Sequence, residues 1–179
     1  MSIKQSLQNS ILHDLTVCQH LYTKLDPKNA DWRPRENMRS TLELQQYLCY
    51  IGKTMTGHFV NPAEDKSLAV DNYRAKAKWS TESVTFENFP EMIEREKEEI
   101  REVLSHVSDA DLTRMTYHPF SKEETTLFDA LLTVTKYICA YRHQLFLYAK
   151  LSGAEINTRN NWYGVDAAPA VAKPAMAAA

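Results

Sequence analysis

Four long stretches of this chain carry apolar residues at the three- and four-residue spacing of an amphipathic helix. Little interrupts them, since the 179 residues include only 4 glycines. A chain with that pattern hides its apolar stripes by packing helix against helix around a shared core. The first stripe is Ile3, Leu7, Ile11, Leu15, Cys18, Leu21, Tyr22 and Leu25, with Pro27 just beyond it. The second follows Ser40-Thr-Leu-Glu43, in which the serine oxygen can take a free backbone N–H while the glutamate reaches back. It holds Leu44, Tyr47, Leu48, Ile51, Met55, His58 and Phe59, and Pro62 lies past its end. The third begins near Asn88, with Pro90 in its first turn where a missing N–H costs nothing, and runs through Phe89, Ile93, Glu96, Ile100, Val103 and Val107. The fourth begins near Thr126, whose partner in a capping pattern is Asp129, and stops at Gly153. Its stripe is Leu127, Leu131, Val134, Tyr137, Ile138, Tyr141, Leu145, Tyr148 and Ser152.

The connections carry the topology. About 14 residues, with Trp32 and Pro34 among them, join the first two helices. The second and third are separated by a stretch from near Val60 to Glu87, too long for a tight antiparallel turn. It can carry a crossover that lets its flanking helices run parallel, with a short extra helix near Ser67 to Lys78. The piece from Ser108 to Thr125 reads as irregular. After Gly153 a coil is expected to pack through Ile156, Trp162 and Tyr163. The expected organisation is one bundle domain over 1–166 and an Ala/Pro-rich, disordered tail over 167–179. No internal repeat is evident.

Charge and composition narrow the function classes. The net charge is −2 with no basic block, so no nucleic-acid partner is implied. No apolar run approaches the roughly 18–20 residues of a membrane span. The first residues have no apolar signal core, so a cytoplasmic location is expected. The 3 cysteines, Cys18, Cys49 and Cys139, are scattered through predicted helices and form neither a disulfide framework nor a zinc spacing. No nucleophile elbow, phosphate loop or dinucleotide fingerprint is present.

The fourth helix holds the feature closest to a site. Tyr137 and Tyr141 lie one turn apart on one face, the spacing by which two histidines on a helix hold a metal. Trp32-Arg-Pro-Arg-Glu-Asn-Met-Arg-Ser-Thr-Leu-Glu-Leu-Gln-Gln-Tyr47 resembles a Trp/Tyr-x-Pro segment leading into helix 2 of the DinB/YfiT-like superfamily. Tyr137-Ile-Cys-Ala-Tyr141-Arg-His-Gln-Leu145 is similar to that family's His-x3-His-Arg-Gly-Gln-Leu, and Leu147-Tyr-Ala-Lys-Leu-Ser-Gly153 to the end of its last helix. The resemblance implies an all-α, up-down-down-up four-helix bundle with a long crossover between helices 2 and 3, commonly a homodimer. It also implies a divalent metal on three histidines and, in some members, thiol-dependent transferase or isomerase chemistry. Here Tyr47, Tyr137 and Tyr141 stand at the three ligand positions, and a tyrosine must lose a proton with a pKa near 10 before it ligates well. The metal is therefore not carried over, and no cofactor is expected.

Other groups are weighed against their structural roles. Asp14 interrupts the first stripe and Glu96 the third. A buried carboxylate needs a partner, so each is expected to meet a tyrosine hydroxyl or an arginine, or else to line a polar pocket with the tyrosines. His58 lies on the second stripe, about 16 Å along the axis from Tyr47, as a core or pocket-rim histidine. A site of Asp14, Glu96 and His58 holding a metal is a remote option. His143 points about 200° away from Tyr141, and Arg142 about 100°. His13 and His20 share a face away from the first stripe and are expected in solvent. His106 and His118 have nothing specific around them. The reading is a small-ligand-binding or interaction protein with a polar pocket at Tyr47, Tyr137, Tyr141, Asp14, Glu96 and His58. The alternative is a divalent-metal-dependent hydrolase or thiol transferase with other ligands.

Overall fold

The structure is a computed structural model and describes residues 2–166. The tail expected at 167–179 lies outside the described residues. Four long helices form the bundle: α1 (Ile3–Tyr22), α2 (Thr41–Val60), α4 (Phe89–Ser105) and α5 (Leu127–Leu151). The crossover between α2 and α4 carries α3 (Leu68–Ser83), and α6 (Thr158–Tyr163) follows the bundle.

Local signals place the ends. Ser40 and Glu43 close the capping box at the start of α2, and the Thr126 side chain accepts the Asp129 N–H at the start of α5. Gly153 leaves α5 with a φ of 105°, a conformation that costs a glycine little.

Polar ties between the helices give their directions. The Ile3 and Lys4 amides donate to Asp109, just past α4, while Gln19 reaches the Pro90 carbonyl at the start of α4, so α1 and α4 are antiparallel. Gln46 reaches the Val84 carbonyl before α4 and Lys53 meets Glu99 farther along it, so α2 and α4 run parallel. Tyr148, late in α5, donates to the Arg39 carbonyl just before α2, so α5 runs back against α2. The order is up-down-down-up, as expected.

The core is apolar and includes Ile11, Leu15, Leu44, Leu48, Ile93, Ile100, Leu131 and Ile138, all fully buried or nearly so. The fold also shows where periodicity is silent. The segment expected to be irregular contains a small antiparallel hairpin, β1 (Met115–Tyr117) paired with β2 (Glu124–Thr126). Three-residue strands are too short to print an alternating pattern. The chain after Gly153 anchors through Ile156 as expected, but Trp162 and Tyr163 are 54% and 67% exposed. α6 instead turns Asn160 and Asn161 inward. Its capping box fixes that rotation, with Asn157 at the N-cap and Asn160 reaching back. The face of α1 that holds His13 and His20 meets α6 as a result: His13 stays exposed, as expected, while His20 is half-buried. His13 Nε2 lies 2.8 Å from the Trp162 carbonyl oxygen, and His20 Nε2 3.1 Å from the Asn160 amide.

Candidate functional site

α2 and α5 bring Tyr47 and Tyr141 into direct contact, with ring centroids 4.4 Å apart. Tyr50, one turn on from Tyr47, packs edge-on against it at 5.2 Å. The crossover helix α3 adds Tyr73, whose hydroxyl lies 3.2 Å from that of Tyr50. Tyr47 also interacts with the Tyr73 and Tyr141 hydroxyls. Above this cluster sits the Arg39 guanidinium, 4.2 Å from the Tyr47 ring centroid and 5.5 Å from that of Tyr141. Its approach is set by the loop before α2. Tyr148 holds the Arg39 carbonyl at 2.9 Å, the Thr41 amide donates to the Trp32 carbonyl, and Trp32 stands edge-on against Tyr148.

The cluster opens on a cleft of about 450 Å³ lined in part by Arg33, Arg39, Glu43, Gln46, Tyr47 and Tyr50. Arg33 is committed to Glu43 at 3.4 Å. Arg39, by contrast, has no carboxylate within ion-pair distance among the described residues. Burial raises the Tyr47 and Tyr50 hydroxyls above the ordinary tyrosine value, and their hydrogen bonds to Tyr73 raise them further. At neutral pH both keep their protons and can donate.

Tyr137 stands at the edge of this group: burial raises its pKa and the nearby Tyr141 and Tyr73 raise it further, but no ring contact joins it to them among the described residues. Its hydroxyl lies 3.1 Å from His118 Nε2. His118 Nδ1 accepts the Phe120 and Ser121 amides, each at 3.3 Å. The proton is thereby assigned to Nε2, which donates to the Tyr137 oxygen. Burial lowers the His118 pKa, in keeping with a neutral ring. This pair faces a separate, open cleft with Phe59 and Thr133. His118 thus has a specific partner, contrary to expectation, because the hairpin carries it back to α5.

The two carboxylates and His58 lie apart from the tyrosines. Asp14 meets an arginine, as one of the expectations had it: Arg142 Nε is 3.4 Å from Asp14 Oδ1. Burial raises the Asp14 carboxyl and the guanidinium pulls it partly back. Arg142 is 1% exposed, faces α1 and also donates to the Asn161 carbonyl. Glu96 meets neither a tyrosine nor an arginine. Its Oε1 accepts the Lys53 amide at 3.0 Å inside the bundle. Helices use their backbone N–H groups internally, so this partner leaves no mark in the apolar pattern. His58 lies 2.9 Å from the Tyr117 carbonyl through Nε2. Among the described residues, no three His, Cys, Asp or Glu side chains group in a way that could hold a metal ion.

Sequence reasoning missed Arg39, Tyr50 and Tyr73. The spacing of Tyr47 and Tyr50 offered a signal for one of them. Tyr73 had none, because only the path of the crossover brings it in.

The fold is all-α and DinB-like. No family model matches the chain, and no curated protein matches it. Among solved structures, the chain is similar to the DinB-like protein YjoA from Bacillus subtilis, with a TM-score of 0.63 over 84% of this chain and 94% of that one. Sequence identity is 14%, so the likeness speaks for the fold alone.

Proposed function

We propose that this DinB-like protein is a binding protein without the three-histidine metal site, and that its tyrosine-walled cleft takes a small anion. The observation that carries the reading is Arg39, a guanidinium laid on Tyr47 and Tyr141 with no carboxylate within ion-pair distance among the described residues, although Glu36 and Glu43 line the same cleft. A planar guanidinium recognises carboxylates and phosphates by paired N–H donors. The protonated Tyr47 and Tyr50 hydroxyls beside it add donors and no negative charge.

The same geometry argues against a resident divalent cation. Tyr47 and Tyr141 fill the space between them, Tyr137 turns to His118, and burial makes Tyr47 and Tyr137 harder to deprotonate. The positive charge of Arg39 beside Tyr47 and Tyr141 further disfavours a cation there. A homodimer belongs to this reading as well, supported by exposed apolar groups late in the chain, Leu151 at 66% and Tyr163 at 67%. A monomeric mass by sedimentation removes that part.

The test is calorimetric titration with inorganic phosphate and with a short dicarboxylate. Saturable binding of at least one is expected, with about tenfold or greater loss in Arg39→Gln and a smaller loss in Tyr50→Phe. Equal binding by wild type and Arg39→Gln, or none by either, rejects the cleft. A stoichiometric transition metal in the purified protein rejects the metal-free reading.

A further inference from the structure

A second cavity, of about 460 Å³, lies between α2, α3 and the hairpin end of the bundle. Its volume is in the range of pockets that enclose small organic ligands. Met55, Ala69, Ala75 and Pro119 give it apolar walls. The Thr54 hydroxyl oxygen, in the same wall, is buried with no hydrogen-bond partner among the described residues.

Gly57 also lines this space and is the informative residue. It sits inside α2, where glycine is a poorer choice than alanine. Its φ is not positive, so no turn requires it. A Cβ built on it would meet nothing within 4 Å, so no neighbour requires it either. The missing side chain has one structural consequence, which is room in the cavity.

The charged groups give the ligand's sign. Lys53 lines the cavity with its side chain 6% exposed. Its ammonium is 3.0 Å from Glu99, itself half exposed, and 4.5 Å from the centre of the Trp79 ring. Lys76 comes from α3 and has no carboxylate partner among the described residues. His58 meets the Tyr117 carbonyl through Nε2, and burial lowers its pKa, so the ring counts as neutral at pH 7. The lining therefore sets two ammonium groups against one carboxylate.

We propose that this cavity binds a medium-chain carboxylate, with Lys53 and Lys76 at the carboxylate and the apolar body lying over Gly57. The ligand's carboxylate takes the side of Lys53 that the half-exposed Glu99 leaves open, and its chain covers Met55 and Ala69. Tyr73 lines this cavity and also bonds Tyr50 at the tyrosine cleft, while Arg39 lines only the cleft and Lys53 and Lys76 only the cavity.

The test is calorimetric titration with decanoate and, as the uncharged counterpart, decanol. Decanoate is expected to bind at one saturable site, at least tenfold more tightly than decanol. Gly57→Leu fills the cavity and is expected to weaken decanoate at least tenfold while melting at the wild-type temperature or above. Lys53→Met should narrow the gap between acid and alcohol. Decanoate that fails to saturate, or that binds Gly57→Leu as well as wild type, overturns the cavity as the site. Decanol binding as tightly as decanoate overturns the assignment of an anion.

Discussion

Glu96 shows how much one side chain decides in this bundle. It is fully buried on the inner face of α4, with Oε1 on the Lys53 amide and Oε2 without a hydrogen-bond partner among the described residues. Burial pushes its carboxyl up to about 8, and the backbone donors and Lys53 only partly oppose that. The folded state then holds a proton that the unfolded chain releases near pH 4.5. Stability from this group is full below pH 4.5 and falls as the pH rises toward 8. Glu96→Gln keeps the acceptor and cannot ionise. Urea unfolding at pH 5, 7 and 8 is expected to show a declining stability in wild type that flattens in the variant; parallel pH profiles would dismiss the claim. The tyrosines belong to this scale too. Tyr47, Tyr137 and Tyr141 were visible in the sequence as a spacing, yet side-chain direction separates Tyr137 from the other two.

At the scale of the element, α2 carries two glycines with opposite reasons for being there. A Cβ on Gly52 would stand 2.7 Å from Glu96 Oε1 and 2.9 Å from Ile138 Cδ1, so the backbone must stay bare for Glu96 to approach it. Gly52→Ala should therefore destabilise by about 1–3 kcal/mol despite the better helix former. Gly57→Ala meets no neighbour and should stabilise by about 0.5–1 kcal/mol. Urea titration of the two variants measures both, and equal signs would contradict this account of the helix. The cap of α2 has an independent test. Ser40→Ala removes the acceptor of the Glu43 amide and should cost about 1 kcal/mol in the same assay.

For the whole molecule, the tie that joins distant parts is Arg142. It reaches Asp14 on α1, the Asn161 carbonyl on α6 and the Cys139 sulfur on its own helix, and it lies 5.2 Å from the centre of the Trp162 ring. Arg142→Met leaves Asp14 buried without its cation and should cost about 3–5 kcal/mol. Adding Asp14→Asn should recover part of that, because the unpaired charge goes with it. Chemical denaturation of the single and double variants decides it, and a single variant within 1 kcal/mol of wild type would show that the pair contributes little. No helix of the described residues is long and apolar enough to cross a membrane.

Periodicity and punctuation in the sequence determined the four long helices, their caps at Ser40 and Thr126, and the crossover that makes α2 and α4 parallel. These depend on local hydrogen bonds and on which face is apolar, both written within a few turns of chain. Tertiary structure alone decided that Arg39 lies on Tyr47, that Tyr73 arrives from α3, that Arg142 faces α1, and that Gly57 opens onto a cavity. Each of those is a meeting of residues from separate elements. A helical stripe states that a side chain is turned inward, and only the packed neighbours state what it finds there.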